Sequence, residues 1–180
     1  LIDTGQMYEN EDIVGQAVKE SGLERKEVFF TTKLYRPCVT YEKAKAAIEK
    51  SLQALQTDYI DLLLIHEPYD SALEMYEAMK EAYRAGKVRA IGISNFNEKK
   101  YQAFVAACDI VPAVSQVGIP CVLSAAGIAK GNGKAWNANA VLGILYGGQK
   151  KYFCGAVIAG AWEQIRKNIC TDCTAVFGAE

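Results

Sequence analysis

The chain is poor in several things. Its 180 residues hold one histidine, His66, two tryptophans and four prolines. No apolar run reaches about 18 residues, the length a helix needs to cross a bilayer, so no membrane-spanning helix is expected. Charge is nearly balanced, with 20 Lys+Arg against 21 Asp+Glu and a formal net charge of -1. A surface built to grip phosphates needs a positive excess, so nucleic acid is not expected as a partner. One histidine and one C-x-x-C fall short of the roughly four ligands of a structural zinc site, and no metal is expected. What is present is ordinary globular composition, 51% hydrophobic and 23% charged, which argues against disorder. The length allows one domain, or two small ones. The six cysteines come without a visible secretory signal and are expected as reduced thiols in a cytoplasmic setting. Leu1–Asp3 reads as the end of a strand, so an N-terminal truncation is expected, which would also have removed any targeting signal.

Composition changes along the chain. Leu1–Val117 carries 18 acidic and 14 basic residues, 5 Gly and 2 Cys, whereas Gly118–Glu180 carries 3 acidic, 6 basic, 10 Gly, 11 Ala and 4 Cys. The second part holds twice the Gly and Cys in about half the length.

The first part alternates strands with helices. Val28–Leu34 is β-branched and aromatic, Tyr59–His66 is a nearly continuous apolar run, and Val88–Ser94 and Pro112–Val117 are further strand segments. Between them, Glu11–Glu20, the run after Thr40, the run from Ser71 to the stop at Gly86, and Asn97–Cys108 read as helices. This order implies a parallel sheet with helical crossovers. An open dinucleotide-binding sheet would show G-x-G-x-x-G after its first strand, and none occurs in Leu1–Val117. Instead each strand ends on a polar or ionisable residue: Asp3, Lys33, His66, then Ser94-Asn95, with Gln116 near the end of the fifth. A (β/α)₈ barrel collects its working groups at that rim. Singly, such a lysine is an ordinary solvated charge and such a histidine an ordinary packing group; the succession is what points to an active site.

Five blocks carry a family resemblance. Asp3-Thr4, Tyr8 and Asn10-Glu11 match D-T-x-x-x-Y-x-N-E. Thr31–Leu34 reads T-T-K-L; Asp58–Leu62 and Leu64–His66 read D-Y-I-D-L and L-I-H. Gly86–Phe96 reads G-K-V-R-A-I-G-I-S-N-F, and Gln116-Val117 opens a Q-V-E-x-H block. In this order and spacing they resemble the aldo-keto reductases. The resemblance implies NADPH-dependent reduction of a small aldehyde or ketone, with NADH as the alternative cofactor. It implies a tetrad of Asp3, Tyr8, Lys33 and His66. Tyr8 would donate the proton, and Lys33 would lower the phenol's pKa. Asp3 would orient Lys33, and His66 would hydrogen-bond the carbonyl oxygen. Ser94, Asn95 and Gln116 would hold the nicotinamide carboxamide. Tyr35 and Glu67 stand where the family often has tryptophans, which puts substrate choice in doubt rather than chemistry. Oligomeric state has no signal in the sequence.

After Val117 the motif match stops, where Gly118-Ile119-Pro120 replaces the expected Glu and His. A reading-frame change explains this. If Gly118–Ala125 is encoded GGA ATT CCA TGT GTT TTA TCA GCA, reading one base later gives E-F-H-V-F-Y-Q-Q and restores the block. Most codons leave a choice, but tryptophan does not: Trp136 and Trp162 must both shift to glycine, which suits the family pattern at each place. Residues 118–180 are therefore expected to be a frameshifted tail without an independent fold. Its Cys170–Cys173 C-x-x-C and the glycines around Gly131 are expected to be without function. The expected architecture is α/β: a partial (β/α)₈ barrel of about five βα units in residues 1–117, short of the ~250 residues of a complete barrel. Such a chain is expected to be inactive by itself. The competing reading is a non-catalytic remnant, or a half-barrel whose Cys-rich tail binds a partner or metal.

Overall fold

The computed structural model describes residues 1–120, 140–147 and 150–156, with side chains through residue 117. Five strands run parallel in chain order: β1 Ile2–Asp3, β2 Phe30–Leu34, β3 Leu62–Ile65, β4 Ile91–Ser94 and β5 Val114–Pro120. Helices α1 Glu11–Glu20, α2 Tyr41–Ala54, α3 Ala72–Arg84 and α4 Glu98–Ala106 make the crossovers. The sheet is strongly curled. Gln116 of β5 donates a hydrogen bond to Asp3 of β1 at 2.7 Å, although three strands lie between them. At the usual strand spacing a flat sheet would hold these two strands about 19 Å apart. The five strands thus form half of a barrel, as the βα order implies.

The period of two along each strand sorts side chains to two faces. Leu62, Leu64 and Val114 meet on the concave face, with Phe29, Ala90 and Ala113 packed against them. The alternate residues Phe30, Leu34, Leu63, Ile65, Ile91 and Ile93 join the larger core under the helices. There they share a cluster with Ala44, Ile48 and Leu52 of α2 and with Met75, Tyr76 and Met79 of α3. Both faces of β3 are covered, which is why its sequence is an unbroken apolar run. Gly92 permits the close approach of β4 to its neighbours: a Cβ there would lie 2.4 Å from the Val114 carbonyl oxygen and 2.7 Å from Leu64 Cδ2.

Two of the four helix starts are capped by a side chain, and neither Asn10 before α1 nor Ser71 before α3 makes such a bond. Thr40 Oγ1 accepts from Lys43 N at 3.3 Å to cap α2, and Asn97 Oδ1 accepts from Lys100 N at 2.9 Å to cap α4. Gly86, at φ +76°, stops the chain just past α3.

Strands β3 and β4 begin later than their apolar runs suggest. Ile60 and Val88 form only an isolated bridge, and Asp61 breaks the ladder. The buried Asp61 carboxylate accepts from Phe30 N at 2.9 Å, pairs with Arg25 at 2.7 Å and with Arg89 at 3.2 Å. A side chain here takes the hydrogen bond that a neighbouring carbonyl would otherwise supply. Beyond β5, strand β6 Ala140–Gly147 adds parallel to it and β7 Lys150–Ala156 adds antiparallel to β6. The described part of the tail therefore extends the same sheet. Cys170–Cys173 and the glycines at 131 and 133 lie outside the described residues.

Candidate active site

The C-terminal ends of the strands bring the four tetrad candidates together. Asp3 closes β1, where it pairs with Thr31, and Lys33 lies inside β2, in register with Leu64 on the neighbouring strand. Lys33 is 2% exposed, so its ammonium needs partners. It has an ion pair with Asp3 Oδ1 and a hydrogen bond to the Thr4 carbonyl oxygen at 2.8 Å. The second of these is a main-chain contact with no sequence signal.

Tyr8 sits in a short 3-10 turn, Gln6–Tyr8, directly after β1. The turn is tied to the barrel wall because Gln6 Nε2 donates to the Ala47 carbonyl oxygen at 2.9 Å and to Ser51 Oγ at 2.8 Å. Tyr8 is 45% exposed, with its ring centroid 5.3 Å from Lys33 Nζ. On its other side it meets His66 edge-on, ring centroids 5.6 Å apart at 84°. A phenol is thus set between a buried cation and an imidazole while remaining open to solvent.

His66 follows β3, and its N–H donates to the Leu34 carbonyl oxygen at 2.9 Å, continuing the ladder with β2. The side chain is buried and its Nδ1 has no hydrogen-bond partner. Burial first, then the positive charge of Lys33, hold the imidazole pKa below its ordinary value, so the neutral ring is favoured. A neutral ring can donate one N–H, which suits contact with an uncharged carbonyl oxygen.

Ser94, Asn95 and Gln116 also lie on this rim. Ser94 pairs in register with Gln116, and Asn95 N donates to the Gln116 carbonyl oxygen at 2.8 Å. Asn95 adopts φ +62°, a left-handed conformation that asparagine tolerates better than most residues. Its side-chain amide donates to the His66 carbonyl oxygen at 3.1 Å and to Glu67 Oε1 at 2.8 Å, while the Gln116 amide donates to Asp3 Oδ2. Of the two pocket candidates, Glu67 is exposed beside His66 and Tyr35 is half-buried after β2.

Glu11 belongs to the first motif but not to the rim. Its buried carboxylate accepts from Thr32 Oγ1 at 2.6 Å and Ser51 Oγ at 3.1 Å, joining α1 to β2 and α2. Asn10 similarly accepts from Thr4 Oγ1 at 2.6 Å. These two motif residues brace the Tyr8 turn, a structural part that the residue pattern alone does not separate from a chemical one. Among the described residues, no group of three or more His, Cys, Asp or Glu could hold a metal, and no helix is long and apolar enough to cross a membrane.

Known proteins resemble this chain in sequence and in fold. The glyoxal reductase of Bacillus subtilis is 44% identical over 117 residues, 64% of this chain and 42% of that protein. The morphine 6-dehydrogenase of Pseudomonas putida is 41% identical over 120 residues, 65% of this chain and 40% of its own length. The chain thus spans about two fifths of these curated relatives. Among solved structures, Bombyx mori aldo-keto reductase in complex with NADP superposes with a TM-score of 0.70 at 31% identity, over 79% of this chain and 50% of that one. The model of the aldo/keto reductase family matches residues 1–128, past the point at which the short motifs stop. With that match over most of its length, and a buried Asp–Lys pair, a tyrosine and a histidine on one rim of a curled parallel sheet, the chain belongs to the aldo/keto reductase family.

Proposed function

We propose that the site reduces the carbonyl of a small aldehyde or ketone to an alcohol with NADPH, NADH being the alternative. The observation that carries this is Tyr8 placed between Lys33 and His66, with Asp3 behind the lysine. Relatives named glyoxal reductase and morphine 6-dehydrogenase, and a neighbour solved with NADP, support it.

The donor set fits a nicotinamide carboxamide. The Ser94 hydroxyl and the Asn95 and Gln116 amides can each donate and accept, as a primary amide requires. When bound, the reduced nicotinamide supplies the hydride for the carbonyl carbon. His66, neutral and buried, donates a hydrogen bond to the carbonyl oxygen and fixes its place. Tyr8 Oη delivers its proton to that oxygen as negative charge develops there. Lys33 stabilises the phenolate left behind, and Asp3 holds Lys33 in place. Tyr35 and Glu67 line the substrate entrance, and the unbridged thiols of buried Cys38 and half-buried Cys108 suit a reducing, cytoplasmic setting.

We further propose that residues 118–180 come from a shifted reading frame and that the 180-residue chain does not turn over by itself. Counting bases in the gene between the codons for Gln116 and Ile119 tests the first point. For the second, the chain is assayed with NADPH and a small dicarbonyl, beside a chimera in which residues 1–117 replace the matching segment of the Bacillus subtilis glyoxal reductase. The chimera is expected to oxidise NADPH and its Tyr8→Phe variant to lose at least about a hundredfold. A folded chimera that is inert, or one indifferent to Tyr8→Phe, overturns the assignment.

A further inference from the structure

The Asp3 carboxylate is gripped from two sides. Lys33 Nζ holds Oδ1, and Gln116 Nε2 donates to Oδ2 at 2.7 Å. All three groups are buried. We propose that Gln116 is a positioning residue: by occupying Oδ2 it fixes the carboxylate so that Oδ1 faces Lys33, and so sets where the lysine cation stands beneath Tyr8.

The physical case rests on rotational freedom. A carboxylate turns about its last torsion in a broad, two-fold well. One partner leaves that rotation open, and two charge-assisted bonds on opposite oxygens close it. Gln116 is itself held, because β5 pairs with β4 and the Asn95 N–H donates to its carbonyl oxygen at 2.8 Å. Rigidity therefore passes from the β4–β5 ladder through Gln116 to Asp3, then to Lys33. The side chain that the family resemblance assigns to the cofactor also holds the Asp3–Lys33 pair in place beneath Tyr8. The catalytic consequence rests on the carbonyl-reduction reading, but the clamp is a property of the chain without cofactor.

The test is solution NMR of the full ¹⁵N-labelled chain. Gln116→Met keeps the bulk and removes the donor, so a residue that merely fills space would show no effect at Lys33. In the wild type the Lys33 ammonium protons are expected to exchange slowly with water. In Gln116→Met, with the backbone spectrum of β2 and β3 retained, they are expected to exchange about tenfold faster or more. Gln116→Glu, which sets a second carboxylate against Asp3, is expected to loosen Asp3 at least as much. Exchange within about twofold of wild type in a folded Gln116→Met overturns the proposal. If neither variant folds, the wild type decides: Gln116 side-chain amide protons about tenfold slower than those of exposed Gln53 support the clamp, and equal rates overturn it. A clamp seen beside an inert chimera would sink the carbonyl-reduction reading alone; an active chimera without the clamp would sink only this inference.

Discussion

His66 shows how one residue's surroundings become a property of the molecule. Its folded pKa lies below its ordinary value because burial and Lys33 both oppose the charged ring. The unfolded chain, titrating near pH 6.5, therefore takes up the proton first as pH falls. The stability His66 contributes is fully present above about pH 6.5 and is lost as pH falls from there toward the folded pKa. Glu24, Glu81 and Asp109 have lowered pKa values and act only at more acid pH, so the window just below 6.5 belongs to the histidine. Urea midpoints measured from pH 7.5 to 5 are expected to decline in the wild type and to stay nearly flat over that window in His66→Gln; parallel curves would count against this account. Gly92 is the other sensitive position. Adding a methyl group drives it into the Val114 backbone, so Gly92→Ala is expected to cost about 1–3 kcal/mol by urea denaturation.

Among the elements, the strands and helices were legible because their signals are local. Ala44, Ile48 and Leu52 fall on one face of α2, and the same residues are buried against the sheet. Strand beginnings were less legible, since Asp61 replaces a ladder contact by a side-chain one that depends on Arg25 and Arg89 from other elements. Caps give the direct test at this scale. Asn97→Ala removes the acceptor for Lys100 N and is expected to destabilise the chain by about 1 kcal/mol. Ser71→Ala, at a helix start where the hydroxyl makes no cap bond, is expected to change the urea midpoint much less.

For the whole molecule, the two ends of the curled sheet divide labour. The C-terminal ends carry Asp3, Tyr8, Lys33 and His66, and the N-terminal ends carry Arg25, Asp61 and Arg89 around the Tyr59 ring, with guanidinium carbons 3.9 and 3.7 Å from its centroid. That lower cluster joins the segments leading into β2, β3 and β4. Asp61→Ala leaves two cations and the Phe30 N–H without their shared acceptor and is expected to cost ~3 kcal/mol, somewhat below a fully buried pair because both arginines reach solvent. Asp61→Asn keeps an acceptor for Phe30 N and is expected to lose less. Chemical denaturation of both variants checks the order, and a reversal would show that charge pairing contributes little there.

The amino-acid sequence by itself determined the βα order, the polar strand ends and the family blocks, because each depends on residues near one another in the chain. It also marked Asp3, Lys33 and His66 as neighbours on one rim, since a parallel barrel sends all strand ends to one side, whereas Tyr8 came only with the family resemblance. Tertiary structure alone decided how they are held. The Thr4 carbonyl beneath Lys33, the edge-on contact of Tyr8 with His66, and the Gln116 amide on Asp3 arise only when the sheet curls. Residues 113 positions apart then meet, and curvature is a sum over every strand pair that no local pattern records.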